Sequence, residues 1–187
     1  MALVEPTHVT TKDGRTAVIR NATEDDAQAL LDDLRDFVED GEGQVLVPGE
    51  LAPTLDEERA WIRGQNDDSN KLLLVVEIGG AIVGNLTFAT SPRRRIAHTG
   101  TFGVGLAREA RGIGIGTALV TRLLAWAADH PTIEKVNLRV LATNARAIAM
   151  YRKLGFVEEG RLVREIRYED GTYCDDVSMA RFVRRAG

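Results

Sequence analysis

Hydrophobic positions recur at helical spacing in four stretches of the chain and at strand spacing between them. Ala27, Leu30, Leu31, Leu34 and Val38 fall at intervals that share one face, so Thr23 to about Glu39 reads as an amphipathic helix. Thr23-Glu24-Asp25-Asp26 caps it and puts acids in its first turn, where the helix dipole favours them. A capping box, Thr54-Leu55-Asp56-Glu57, opens a second helix through Trp61 and Ile62. The third, Gly114 to Asp129, carries Ile115, Leu119, Leu123 and Trp126 on one face, widened by Val120, Leu124 and Ala127, and the fourth follows Asn144. Strands are expected at Thr16–Arg20, Lys71–Ile78, Ala81–Ala89, His98–Leu106, Lys135–Leu141, Arg161–Tyr168 and Tyr173–Phe182. Gly79-Gly80 and Asp170-Gly171 mark hairpin turns, and the unbroken apolar run Leu72 to Val76 marks a central strand. This order predicts an α/β (α+β) domain: a mixed, mostly antiparallel sheet of about seven strands with helices on both faces.

Length and composition narrow the class. A chain of 187 residues with 44% apolar content supports one core, and no repeat, low-complexity tract or linker divides it, so residues 1–187 read as a single domain. A net charge of −4 and a pI near 5.5 argue against a general nucleic-acid binder. Cys174 is the only cysteine, which excludes an intrachain disulfide framework and a thiolate metal cluster. Met1 to Gly14 has no long apolar core and no segment approaches the ~20 apolar residues of a membrane span, so a soluble cytoplasmic protein with no metal is expected.

Candidate chemistry concentrates at Arg111-Gly112-Ile113-Gly114-Ile115-Gly116-Thr117, between the strand ending at Leu106 and the third helix. Alternate glycines let an oxygen-rich ligand approach the backbone, and the first turn of the helix offers unpaired N–H groups at the positive end of its dipole. A Walker loop needs Gly-Lys-Ser/Thr, and no lysine is present; the dinucleotide fingerprint needs its third glycine one residue later. A glycine-rich turn with no ligand is the alternative for the loop taken alone.

Together with a second stretch, the loop carries a family resemblance. Arg111, Gly114 and Gly116 meet the Gln/Arg-x-x-Gly-x-Gly/Ala pattern with which the GNAT superfamily of N-acetyltransferases binds acetyl-coenzyme A. Asn144 to Phe156, ending Tyr151-Arg152-Lys153-Leu154-Gly155-Phe156, resembles the other signature of that superfamily, in the expected order and at the expected distance. The resemblance runs from about Thr99 to Phe156 and implies acetyl-CoA as cosubstrate, an amine acceptor and transfer in a ternary complex. It implies coenzyme contacts at Val104, Leu106, Arg111, Gly112, Ile113, Gly114, Ile115, Gly116, Thr117, Asn144 and Ala147, with the pantetheine arm between the strands at His98–Leu106 and Lys135–Leu141. The branch it resembles holds ribosomal-protein N-terminal and polyamine acetyltransferases, and a homodimer is expected. A non-catalytic acyl-CoA sensor is the alternative.

Acetyl transfer needs a neutral amine, a polarised carbonyl and a proton for the departing thiolate. Tyr151 lies two helical turns after Asn144, on the same side, and its phenol can protonate the sulfur, so a descending limb at high pH is expected to depend on it. A core aromatic with a satisfied hydroxyl is the competing reading. Relatives often carry a Glu base before the glycine loop; the nearest position here is Thr101, which cannot take a proton. His98, Glu77 or a water relay are the candidates. Backbone N–H groups near Val104 or Leu106 are expected, by analogy with relatives, to polarise the carbonyl. Gly100, Gly103 and Gly105 suggest a bulge or close backbone approach. Most acids of the first helix, among them Asp32, Asp33 and Asp36, read as a solvated face, although those from Asp36 to Glu42 would draw in cationic amines. Arg93-Arg94-Arg95 reads as a solvated loop.

Overall fold

The computed structural model describes residues 3–41 and 45–184; of the acidic and glycine-rich positions singled out above, Glu42 and Gly43 lie outside them. Strands β1 (Thr7–Thr10), β2 (Thr16–Asn21), β3 (Lys71–Ile78), β4 (Ala81–Thr90), β5 (Thr99–Leu106), β6 (Lys135–Leu141), β7 (Val157–Arg167) and β8 (Tyr173–Phe182) form one sheet in the order β1-β2-β3-β4-β5-β6-β8-β7. Helices α1 (Ala27–Asp40), α2 (Leu55–Asp67), α3 (Ile115–Asp129) and α4 (Ala145–Lys153) cover it. All neighbouring strands are antiparallel except β5 and β6.

The apolar run in β3 is buried on both faces because helices lie on both. Leu73 and Val75 pack with Ala22, Ala27, Leu30 and Ile62 under α1 and α2. Leu72, Leu74 and Val76 turn the other way, into a larger core with Leu86 and Phe88 of β4, Val136 and Leu138 of β6, and α3. On α3 the side chains of Ile115, Leu119 and Leu123 are at most 2% exposed, and burial of each stabilises the fold by about 1.5–3 kcal/mol. This anchors the start of α3, and with it the glycine loop.

The sheet has eight strands rather than about seven. The extra one, β1, is four residues of largely polar sequence, too short for alternation to mark, and it forms because β2 offers it an edge. Strand β7 begins at Val157, ahead of the expected Arg161, since pairing with β8 continues to Val157↔Ala180. Thr54 makes the expected capping box, and Thr23, expected as a cap, makes one as well, through a short 3₁₀ turn ahead of α1.

Candidate active site

Strands β5 and β6 pair over only three positions, Thr99↔Lys135, Gly100↔Val136 and Thr101↔Asn137, and then diverge. The His98 carbonyl accepts from the Glu134 N–H (2.9 Å), on the β6 side, whereas the Ala107 N–H donates to Val83 (3.0 Å), on the β4 side. Alternation along the strand therefore turns the peptide groups of Phe102, Val104 and Leu106 toward the gap. The gap widens into a cleft of about 1950 Å³. A small-ligand site spans about 300–1,000 Å³, so this one has room for two substrates together.

The glycine loop forms one end of the cleft. Gly112 and Gly114 have φ of +83° and +101°, a region that side chains rarely adopt. A Cβ added at Gly112 would meet no atom within 4 Å and would project into the open cleft. At Gly116 it would lie 3.3 Å from the Met150 sulfur and 3.5 Å from Leu106, so this glycine sets the packing of α3. Gly112, Gly114, Gly116 and Thr117 line the cleft; the side chains of Ile113 and Ile115 do not. Ile115 is buried in the core, and the Ile113 carbonyl accepts from the Lys12 N–H at 2.9 Å, tying the loop to the β1–β2 turn. What these two residues bring to an anion is backbone only.

Arg111 lines the cleft, but its guanidinium serves the frame. It is 12% exposed, donates to the Leu106 carbonyl at 3.0 Å and pairs with Asp40, at the end of α1, at 2.5 Å. Other cationic side chains line the cleft: Lys12 from the β1–β2 turn, beside Gly114, and Arg146 and Lys153 from α4. Nothing in their local sequence marks them, because only the packing of two separate segments brings them to one cleft.

Helix α4 forms the second wall. Asn144 caps it, its Oδ1 accepting from the Ala147 N–H at 3.1 Å, and Asn144, Ala147 and Tyr151 all line the cleft. The Tyr151 ring is 8% exposed and edge-on to Phe102 and Phe156, with centroids 5.8 Å away in each case. Burial pushes its phenol up to about 12, and no described residue hydrogen-bonds the hydroxyl. Tyr151 is a core aromatic on the lining of the cleft, and its hydroxyl lacks the partner that the packing reading expects.

His98 and Glu77 do not reach the cleft. His98 precedes β5 at the end opposite the glycine loop. Glu77 accepts from Arg20 at 3.2 Å, and Arg20 is held by Asp26 in two bonds of 2.7 and 2.8 Å, so Glu77 belongs to an ion-pair network between β2, β3 and the 3₁₀ turn. Neither has the position of a base.

The side of the cleft formed by α1 carries an acid. Asp33, Leu34 and Phe37 of α1 face Asn85 and Thr87 of β4, with Gly103 and Gly105 of β5 between them. The three β5 glycines divide by role. A Cβ at Gly100 would sit 2.1 Å from the Phe88 ring, so this glycine allows a close approach; Cβ atoms at Gly103 and Gly105 would come no nearer than 3.6 and 3.4 Å to Thr87 and Asn85, so their lack of side chains hollows the cleft. The far wall holds Arg139, paired with Glu165 at 3.0 Å and Asp176 at 2.6 Å. Asp33 is half-buried and accepts from Asn85 Nδ2 at 2.9 Å, and burial holds its carboxyl above the usual range. It is expected from sequence on the solvated face of α1, yet it stands three residues after Leu30 and four before Phe37, inside the apolar stripe.

Known proteins share this architecture. The chain is 25% identical to the acetyltransferase of the GNAT family from Streptococcus pneumoniae, with a TM-score of 0.85 over 89% of this chain and 99% of that one. It is 30% identical to the ribosomal-protein-alanine N-acetyltransferase of Brucella melitensis, with a TM-score of 0.76 over 88% and 98%. By sequence it is 32% identical over 108 residues to the L-amino acid N-acetyltransferase of Escherichia coli, a match that spans 58% of this chain and just under two thirds (66%) of that relative. Residues 28–156 match the Acetyltransferase (GNAT) family, and the chain, with that family's splayed strands and glycine loop, belongs to it.

Proposed function

We propose that this protein transfers the acetyl group of acetyl-CoA to a primary amine in a ternary complex. The observation that carries the reading is a cleft through the β5–β6 splay lined by Lys12 beside the glycine loop, by Arg146 and Lys153 of α4 and, on the α1 side, by Asp33. Such a cleft seats an anionic donor and a cationic acceptor on opposite sides of one point. The residues fit the donor: the first turn of α3 and the open side of Gly112 receive a diphosphate, Lys12, Arg146 and Lys153 supply charge, and the gap beside Val104 admits a narrow chain. Acetyl-CoA supplies a thioester carbonyl already activated toward amines. The Val104 N–H, facing the gap, polarises that carbonyl, and Tyr151 donates a proton toward the leaving sulfur.

The acceptor is a cationic amine, either a small molecule or a protein N-terminus; the amino-acid and ribosomal-protein relatives define the classes to try. Residues 1–187 act as one domain, as a single sheet from Thr7 to Phe182 supports. A homodimer fits the exposed edge strand β7, where Val157, Leu162 and Val163 are 62%, 43% and 72% exposed. A cytoplasmic setting suits the free thiol of Cys174. The test is thiol release from acetyl-CoA across polyamines, amino acids and peptides. Release with formation of acetylated amine is expected; coenzyme binding with no release on any amine would leave a non-catalytic acyl-CoA sensor instead.

A further inference from the structure

With Glu77 and His98 outside the cleft, the proton of the attacking amine goes to a water relay or to another side chain. We infer that Asp33 receives the acceptor amine and takes its proton, while Asn85 positions the carboxylate. The inference rests on the acetyltransferase reading and gives it a base.

The geometry carries it. Asp33 is the carboxylate of α1 that faces β4 and β5 across the cleft, and one oxygen is fixed by Asn85 Nδ2 at 2.9 Å. Its other oxygen has no hydrogen-bond partner among the described residues. In front of it Gly103 and Gly105 put no side chain, and Leu34 and Phe37 flank it on the helix, so the site is a hollow with apolar walls and one acceptor of protons. The same β5 residues that hollow this side alternate with Phe102, Val104 and Leu106, whose peptide groups face the donor's gap. An amine on Asp33 is thus across a single strand from the proposed thioester position.

The chemistry balances. The ammonium first loses one proton to solvent. The C–N bond then forms as the C–S bond breaks, the second amine proton passes to the Asp33 carboxylate, and the thiolate leaves with a proton from Tyr151, which solvent restores. Burial, helped by the like charges of Asp36 on α1 and Glu109 in the 3₁₀ turn after β5, raises the Asp33 carboxyl, while Asn85 and Arg111 lower it. Across the cleft stand Arg139 and Glu165. A more basic carboxylate is a better proton acceptor, and one that must be ionised to work, so activity rises with pH through its titration. The same shift opposes folding: a carboxyl raised in the native state contributes stability only at low pH and loses it as pH rises through the native value.

The test compares wild type with Asp33→Asn on spermidine, L-alanine amide and an alanine-led peptide, following kcat/KM from about pH 5 to 9, with acetyl-CoA affinity by calorimetry and Tm by heating. Expected for Asp33→Asn are a kcat/KM lower by about 10²-fold or more, loss of the acid limb, unchanged coenzyme affinity, and a Tm at neutral pH equal to or above that of wild type. Two neighbours give opposite shifts that a purely structural role would not produce. Asp36→Asn removes a like charge and moves the acid limb to lower pH; Asn85→Ala removes a hydrogen bond to the ionised form and moves it to higher pH. Wild-type kcat/KM in Asp33→Asn, or an acid limb that neither neighbour moves, overturns the assignment while leaving acetyl transfer intact. A wild-type protein that releases no thiol with any of the three amines defeats the acetyltransferase reading itself.

Discussion

Replacing Tyr151 with phenylalanine removes a single hydroxyl and leaves the ring against Phe102 and Phe156, both 5.8 Å away between centroids. The effect on rate follows from what would protonate the sulfur in its absence. With the phenol near 12 and water at about 15.7, Tyr151 is the stronger acid by about 3.7 units, which caps its advantage near 5 kcal/mol at ~1.36 kcal/mol per unit. If the transition state feels half of that difference, the loss is about 2.5 kcal/mol, or roughly 70-fold in kcat, at the lower edge of the usual range for general acids. Stability should change by less than about 1 kcal/mol, because the hydroxyl has no hydrogen-bond partner to strand. The pH behaviour corrects the expectation drawn from sequence. An unperturbed phenol would put a descending limb near pH 10, but burial at Tyr151 moves its titration to about 12, above the assay range. The Phe variant should therefore be slower by one constant factor from about pH 7 to 10, with no limb removed. The assay is pre-steady-state acetyl transfer to a good amine, with coenzyme affinity measured in parallel. A Phe variant with wild-type kcat, under conditions where chemistry limits the rate, would show that solvent protonates the thiolate and return Tyr151 to a packing role.

Gly114→Val forces a β-branched residue to φ near +101° at the mouth of the glycine loop, which costs of the order of 1–3 kcal/mol in strain and should weaken acetyl-CoA binding at least tenfold by calorimetry; unchanged affinity in a folded variant would mean that the loop does not hold the coenzyme. Glu77→Gln and His98→Gln should keep wild-type kcat/KM, the former with a slightly lower Tm from its half-exposed bridge to Arg20; a large loss of kcat in either would restore it as a candidate base. Raising ionic strength should lower kcat/KM for a cationic amine more than for a neutral amine of equal size, since Asp33, Glu165 and Asp176 line the cleft. Equal salt dependence for the two would show that these acids do not select the substrate.

Local chemistry made much of this protein legible. Helix periodicity, capping boxes and the Gly-Gly and Asp-Gly turns depend on residues a few positions apart, and they place α1 to α4 and seven of the strands to within a few residues. The glycine loop and the Asn144–Phe156 stretch are equally local, and two motifs in fixed order sufficed to name the family and its coenzyme. Where the sequence misled, distance in the chain was the cause. Asp33 stands inside the apolar stripe of α1, but only the seating of α1 against β4 and β5 turns it to Asn85 and leaves Asp32 and Asp36 to solvent. His98 sits just ahead of the right strand, at the wrong end, which pairing with β6 decides. Arg111 fits a phosphate pattern by position, yet its charge is taken by Asp40, some seventy residues earlier in the chain. Lys12 comes from the β1–β2 turn and Arg146 and Lys153 from α4, and β1 exists because a partner strand is present. A Tyr151 phenol displaced to about 12 is likewise a property of its surroundings, since only the packed core takes water from around the ring. The sequence by itself determines which groups are available and which backbone loop can cradle an anion; burial and the mutual orientation of distant elements, which only tertiary packing sets, decide which of those groups meet and with what acidity.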